Sequence, residues 1–363
     1  LSPVPASENV VHASIGDVEQ FCRAVFLAAG TDDATADAAT RAMMHGSRLG
    51  VDSHGVRLLD HYVATMLGGR VNKQPNITVT QSVLAVASLD ADHGHGALAA
   101  YRAMDKAIEL SETCGIGAVS IRNSSHFGPA GAYALAAAEK GYIGAAFCNS
   151  DSFVRLHDGA MRFHGTNPIA FAVPVSGQKP WLLDMATSAI PYNRVKLYQS
   201  LGRDLPEGVA SDIEGHNVRD PALVEMLAPV GGEFGFKGAA LGGLVEILSA
   251  VLSGMRLSFD ILPMNGPDFS TPRQLGAFVL AMKPGAFVPE DVFTAGMQHY
   301  VETLRSSPPR EGMRVMAPGD REWVVAEERE KRGVPLDPAT REAFARLGER
   351  YGLKVPEVLS SNP

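Results

Sequence analysis

Between Ser47 and Tyr62 the chain reads SRLGVDSHGVRLLDHY, which sets Arg48 and Arg57 on either side of His54, itself followed by a glycine. A guanidinium recognises a carboxylate through two parallel hydrogen bonds. An imidazole, with an ordinary pKa of about 6.5, can give or take a proton near neutrality. The set suits gripping a small carboxylate and moving a proton beside it. A helix beginning near His54 would put Arg57 three residues on, on the same face, with Arg48 approaching from the preceding turn. A plainer account stays open beside it: Asp52 or Ser53 caps the helix and His54 is incidental. A second histidine, His126, stands in RNSSHFGPAGAY, after the apolar run GAVSI and before an alanine-rich segment. That is a strand's carboxyl end and a helix start, where open α/β sheets place ligands and where a helix N-terminus favours anions. A locally satisfied turn histidine is the alternative.

Further polar loops follow apolar runs. HGTNPIAF places Gly165, Thr166 and Asn167 before a strand that Pro168 holds extended. LLDMATS carries Asp184, Thr187 and Ser188 just past another strand, and GGEFGFKG brings Lys237 into the first turn of a helix. The last is not a phosphate-binding P-loop, since the spacing and the following Ser/Thr are absent. Gly94-x-Gly96-x-x-Ala99 matches the dinucleotide fingerprint loosely, but the next strand ends in Arg122 and Asn123 where an acid is wanted. Asp90, Asp92, His93 and His95 raise a rival from another enzyme class, a metal-dependent hydrolase or lyase. Their confinement to one turn lacks the spread of most catalytic metal sites, and capping by Asp92 accounts for them, so no metal is expected.

These loops need elements to hold them. Ser14 with Asp17 reads as a capping box before a helix carrying Val18, Phe21 and Val25. Thr31 is read as the cap of a second, alanine-rich helix ending near Gly46, and a third runs from about His54 to Gly68. Val79 to Leu89 reads as a strand and Ala97 to Thr113 as a long helix. The runs GAVSIRN, IGAAFCN, IAFAVP and WLLDMA then alternate with a helix from Ala130 to Lys140. The stretch from Tyr192 to Ala228 reads as a polar surface excursion. An apolar helix from Lys237 to Gly254, a strand from Gln274 to Met282, a helix from Pro289 to Leu304 and a charged helical tail broken at Val334-Pro335 complete the chain.

Composition sets the class. At 363 residues the chain exceeds the usual single-core range of about 250–300, so two domains are expected. A net charge of −8 offers no broad basic face for nucleic acid or an anionic membrane. Cys22, Cys114 and Cys148 lie apart with no CxxC or Cys/His spacing, which excludes a disulfide framework and fits a reducing cytoplasm. The opening LSPVPASENV reads as an extended or tag-derived tail. No basic leader precedes an apolar run, and no apolar run of about 18 residues is seen.

Taken in order, GVDSHGVRL, NSSHFGPAGAYA, GTNPIAFAVP, LDMATS and GFKG resemble the malate/L-lactate dehydrogenase family, over nearly the whole chain. That family includes L-sulfolactate, ureidoglycolate and diketogulonate dehydrogenases and piperideine-2-carboxylate reductases. The resemblance implies an α/β fold: a non-Rossmann NAD(P)-binding sheet domain, placed at residues 119–282, and a helix-rich domain built from both chain ends, residues 1–118 and 283–363. It implies a homodimer and hydride transfer between NAD or NADP and the α-carbon of a small 2-hydroxy or 2-oxo acid. A cyclic imino acid is the alternative substrate. The family's acid/base histidine falls on His54 and a second proton-transfer histidine on His126; a cationic His126 would polarise the substrate oxygen. Arg48, Arg57 and Thr166 are assigned to the substrate. The cofactor contacts fall on Ser150, on Pro180, Trp181, Leu182, Leu183, Asp184, Met185 and Ala186, on Phe236 and Lys237, and on Gly319, Asp320 and Arg321. Two departures touch the cofactor and the pocket: Asn193-Arg194 stand where the family has Gly-Lys, and Glu233-Phe234 lengthen the glycine loop.

Overall fold

The computed structural model describes residues 10–359, so the expected N-terminal tail lies outside the described residues except for Val10. A seven-stranded sheet forms the centre, in the order Thr78–Val83, Val86–Asp90, Ile116–Ser124, Leu275–Met282, Ile143–Cys148, Ile169–Val173, Trp181–Met185. Within this sheet Val86–Asp90 and Ile116–Ser124 run parallel and the other five pairings are antiparallel. A Rossmann sheet is thereby excluded, as the broken fingerprint suggested. The register positions the site. Asp90 pairs with Arg122, Ser124 with Leu275, Ala277 with Cys148, Phe147 with Ile169, and Ile169 with Met185. These strand ends share one edge of the sheet, and the chain beside them carries His95, His126, Ser150, Thr166 and Thr187.

One face of the sheet is covered by helices Gly96–Cys114 and Gly131–Ala138, whose Leu98, Met104 and Tyr133 pack with Val119, Ile121 and Val279. Small residues let backbones touch: a Cβ on Gly117 would lie 2.0 Å from the Ala107 carbonyl oxygen. The other face receives helix Gly235–Glu246, which continues as a π-helical turn, Ile247–Val251, and sets Val245 against Ala145, Phe147 and Ile169. By length and composition Gly232–Val251 could cross a membrane, which corrects the expectation that the chain holds no such apolar run. Here it is a partly buried helix on the sheet.

The chain ends meet in the helix-rich part. Val11–Ala13 pairs antiparallel with Val334–Leu336, so the break expected at Val334-Pro335 is a short strand. Helices Ile15–Ala28, Asp33–Arg48, Leu59–Gly68 and Pro338–Tyr351 close around Phe21, Phe26, Met43, Leu59, Met66 and Phe344. Ser14 caps the first helix, accepting from the Asp17 N–H at 3.0 Å, but Asp32 rather than Thr31 caps the second. The third helix begins at Leu59, after two 3₁₀ turns at Asp52–His54 and Val56–Leu58, so His54 and Arg57 do not share a helical face.

Other boundaries differ as well. The expected strand Val79–Leu89 is a hairpin. A division at 118/119 would cut the strand Ile116–Ser124, because Val86–Asp90 and helix Gly96–Cys114 belong with the sheet rather than with the helical part. The polar excursion holds a helix, Tyr192–Ser200, and two short strands of a four-stranded sheet, packed around Ile190, Val195, Leu205 and Leu227.

The site edge is tied together by Glu246, buried at 5% exposure. Its carboxylate accepts from Asn149 Nδ2 at 3.1 Å, Asn167 Nδ2 at 2.8 Å, the Ser258 N–H at 2.6 Å and Ser258 Oγ at 2.6 Å. One side chain thus holds the ends of two strands, the helix on the sheet's second face and the loop before Leu275. Replacing a carboxylate oxygen by NH₂ makes a donor face donors, and each unsatisfied buried group costs about 1–3 kcal/mol. Glu246→Gln is therefore expected to lower the unfolding free energy by about 2–3 kcal/mol, read as a lower urea midpoint at unchanged slope.

Candidate active site

Two loops bring the imidazoles together. The rings of His54 and His126 stack with centroids 5.7 Å apart and planes 22° from parallel. His54 arrives on the 3₁₀ turn after helix Asp33–Arg48, and the following glycine allows it: a Cβ on Gly55 would lie 2.3 Å from Ser47 Oγ. Ser47 Oγ accepts from the Val56 N–H at 3.0 Å and closes the turn. His126 arrives from the end of strand Ile116–Ser124. Its Nδ1 is 2.8 Å from the hydroxyl of Tyr62, and His54 Nδ1 is 2.9 Å from Ser53 Oγ. Burial lowers the pKa of both imidazoles below 6.5, and for His126 the nearby His54 and Arg273 push the same way. His126 is therefore neutral, which corrects the expectation of a cation there. His61 and His95 complete an imidazole cluster; burial brings them down to about 4 and about 3.

Neither cap proposed for the SHG loop is formed. Asp52 is instead clasped by Arg329 of helix Asp320–Arg332, with Nη1–Oδ1 at 2.6 Å and Nη2–Oδ2 at 2.8 Å, while the same guanidinium bonds the Ser47 carbonyl. The arginines singled out beside His54 point elsewhere. Arg48 pairs with Glu19 at 3.2 Å and Arg57 with Asp337 at 3.5 Å, and both side chains are about half exposed. The cation that acts on His126 is Arg273, buried and paired with Asp151.

The expected cofactor segments do meet. Ser150 Oγ accepts from the Thr166 N–H at 3.3 Å, so Thr166 sits with the cofactor segments; the Thr166 carbonyl accepts from Thr187 N–H at 2.9 Å, and the Thr187 carbonyl accepts from Val230 N–H at 2.9 Å. This ladder links the strand ends to the glycine loop, where Phe236 and Lys237 open helix Gly235–Glu246. Phe236 is 53% exposed, and the Lys237 ammonium lies 6.0 Å from its ring and 5.3 Å from that of Phe234. The tail docks on the edge strand: Leu182 N–H donates to Pro318 O at 3.1 Å and Trp323 Nε1 to Pro180 O at 2.9 Å. Gly319, at φ +93°, lies where a Cβ would come 3.1 Å from Leu182. Asp184 accepts from the Gly131 N–H at 2.9 Å and so joins this strand to the helix after His126.

The donor set suits a dinucleotide. Trp181 Nε1 is buried with no hydrogen-bond partner among the described residues. An exposed aromatic and a lysine stand at a helix N-terminus, where anions are favoured. Met185 and Ala186 lead into the Thr187 ladder, and Leu183 is half buried on the same strand. Two tail residues are already engaged, however: Asp320 holds Arg305 and the Ala317 N–H, and Arg321 pairs with Glu322 at 2.8 Å. Their backbone and position, more than their charges, are available to a ligand.

The rival metal cluster is dispersed. Asp90 accepts from Arg122 and Asn123, Asp92 from Asn72 and the Asn76 N–H, and His95, not Asp92, caps helix Gly96–Cys114 through the Ala97 N–H. Sequence reasoning missed Tyr62, Arg329, Arg273 and Glu246. A lone acid inside an apolar helix was a usable signal for the last. A Tyr at a core-facing position, whose hydroxyl must find a partner when buried, was one for the first.

The malate/L-lactate dehydrogenase family matches residues 13–345. A malate dehydrogenase of Pyrococcus abyssi is 34% identical over 97% of this chain and 98% of its own. A (2R)-3-sulfolactate dehydrogenase (NADP(+)) of Chromohalobacter salexigens is 34% identical over 87% and 92%. The solved malate dehydrogenase of Pyrococcus horikoshii superposes with a TM-score of 0.88 at 30% identity, over 97% of this chain and 99% of that one. The chain belongs to the malate/L-lactate dehydrogenase family of NAD(P)-dependent dehydrogenases.

Proposed function

We propose that this protein interconverts a small 2-hydroxy acid and the corresponding 2-oxo acid, with His54 and His126 acting on the substrate oxygen. The observation that carries this reading is the stacked, neutral imidazole pair at the sheet edge that also bears the cofactor loops. The nicotinamide cofactor, when bound, accepts or supplies the hydride. Ser150, the strand Trp181–Met185, Phe236, Lys237 and Gly319 are the residues that would hold it. His54 takes the hydroxyl proton in oxidation and returns it in reduction, and the neutral His126 directs a hydrogen bond at the same oxygen. The test is a panel of 2-hydroxy acids, 2-oxo acids and cyclic imines with both nicotinamide cofactors, read by nicotinamide absorbance. Turnover is expected with hydroxy and oxo acids, and turnover of the imines alone would transfer the reading to imine reduction. His54→Ala should lower kcat about a hundred- to ten-thousand-fold with cofactor affinity unchanged.

Charge and cysteine usage support a cytoplasmic protein working on small molecules rather than on nucleic acid or membrane. We also read it as a homodimer. The resemblance suggested pairing through the helical part, but the exposed apolar stripe lies on the sheet's second face. Leu241, Leu244, Ile247 and Val251 recur at three- and four-residue spacing, beside the half-covered Phe278 and Leu280. A second copy would cover that stripe. Leu244→Glu is expected to shift sedimentation to monomer, and a variant that remains dimeric would move the interface elsewhere.

The neutral imidazoles set the pH behaviour. A base that must be unprotonated stays so below pH 6.5, so the acidic limb of kcat/KM for hydroxy-acid oxidation should lie below that value. Stability follows the same sign. The folded chain binds fewer protons than the unfolded one, whose imidazoles titrate near 6.5, so this stability is complete above 6.5 and is lost as pH falls toward about 4 and about 3 for His61 and His95. Melting temperatures should therefore be level above about pH 7 and fall steadily through that acidic window.

A further inference from the structure

We propose that Tyr62 fixes His126 as the Nε2–H tautomer, making His126 a permanent hydrogen-bond donor and leaving His54 as the group that exchanges the proton. The inference rests on the reading of the imidazole pair given above, and it settles which member of the pair does what.

Tyr62 lies on the buried side of helix Leu59–Gly68 and is 3% exposed. Among the described residues its hydroxyl has one hydrogen-bond partner, His126 Nδ1, at 2.8 Å. The direction of that bond follows from counting. If Nδ1–H donated to the hydroxyl, the phenol's own proton would be buried with no acceptor, the costly arrangement for a polar group. If the hydroxyl donates, both groups are satisfied and the ring proton must sit on Nε2. Burial also raises the Tyr62 pKa, so the hydroxyl keeps the proton it donates. The ring is held in place by His95, which stands against it at 4.3 Å and 82°. The Nδ1 of His95 accepts from the Ala97 N–H at 3.1 Å, a backbone donor with no alternative direction, so the His95 proton sits on Nε2 even though that N–H finds no hydrogen-bond partner among the described residues. Tyr62 is thus pinned on one side by a ring that cannot rearrange and passes that constraint to His126.

His54 has no such lock. Its Nδ1 faces Ser53 Oγ at 2.9 Å, and a serine hydroxyl rotates to donate or to accept. His54 can therefore change which nitrogen carries the proton as it takes one from the substrate hydroxyl or returns one. No net proton passes through His126. Its Nε2–H points a dipole at the oxygen on which charge develops, as an oxyanion donor does. Tyr62 is a positioning residue, since it acts through His126 and touches no reacting atom.

The test is ring-¹⁵N histidine spectroscopy of the free full-length protein at about pH 8, with the His126 signals assigned by their loss in His126→Asn. We expect an unprotonated, hydrogen-bonded Nδ1 and a protonated Nε2. A protonated Nδ1 in the unsubstituted protein overturns the proposal, whatever the activity panel gives. The second arm is Tyr62→Phe, which keeps the ring and removes the hydroxyl. It should mix the two tautomers in the spectrum and lower kcat by about ten- to a hundred-fold, less than complete loss of an oxyanion donor, with KM little changed. Unaltered His126 shifts and an unaltered kcat in a folded Tyr62→Phe protein would also overturn it. If the spectrum shows the Nε2–H form while no hydroxy or oxo acid turns over, the tautomer assignment stands and the proposed reaction falls.

Discussion

A carboxylate buried without a cation must be surrounded by donors or it will not stay folded inside. Glu246 meets that condition with two asparagine amides, a backbone N–H and a serine hydroxyl. Because the donors come from separate segments, meeting it fixes where those segments lie. Asn149 precedes Ser150, Asn167 follows Thr166, and Ser258 begins the approach to Arg273 and the strand Leu275–Met282. The positions of the Ser150 and Thr166 loops are thus a consequence of solvating one acid. The geometry is exacting, since Asn149 and Asn167 spend side-chain N–H groups on Glu246 while their side-chain Oδ1 atoms have no hydrogen-bond partner among the described residues.

The imidazole side of the candidate site depends on a different constraint, the meeting of the chain's two ends. The SHG loop has no regular helix to hold it and no capping bond of its own. Its stiffness comes from Arg329, nearly three hundred residues away in sequence, which clasps Asp52 and the Ser47 carbonyl together. The same tail helix opens at Gly319 against Leu182, so one element of thirteen residues, Asp320–Arg332, touches both sides of the site. The distance between the imidazole pair and the cofactor strand is set by that helix as much as by the sheet.

What could be read in the sequence divides along the same line. The positions of His126 and of the loops after apolar runs were legible because each is local: a polar group just past a strand, with glycines that admit close backbone contact; His54, on a turn after a helix, stood out only by its neighbours in SRLGVDSHGVR. The helix-rich part assembled from both ends followed from family resemblance, and the strand pairing of Val11–Ala13 with Val334–Leu336 shows its physical form. Arg48 and Arg57 misled because spacing was converted into direction. With two 3₁₀ turns in place of a helix at His54, neither guanidinium faces the imidazole, and each finds a surface carboxylate instead. Capping by Thr31 and by Asp92 failed for a smaller reason: a neighbouring side chain, Asp32 or His95, was one to three residues better placed. Tyr62 and Arg329 were out of reach, since their partners lie on other elements and no periodicity marks them.

The sheet itself explains how a non-Rossmann fold gathers the same kinds of group. In a doubly wound parallel sheet every strand delivers its carboxyl end to one edge. Here most pairs are antiparallel, so carboxyl and amino ends alternate along the edge, and the loops there are of two kinds. Strands Ile116–Ser124, Ile143–Cys148 and Trp181–Met185 run out into His126, Ser150 and Thr187. Strands Ile169–Val173 and Leu275–Met282 are entered from Asn167 and Arg273. The incoming loops carry Asn167, which solvates Glu246, and Arg273, which pairs with Asp151; the outgoing loop after Ile143–Cys148 supplies Asn149 to the same Glu246 and carries Asp151 itself. Alternation of strand direction thereby sets outgoing loops beside incoming ones, so Ser150 and Thr187 both lie against the entry at Thr166.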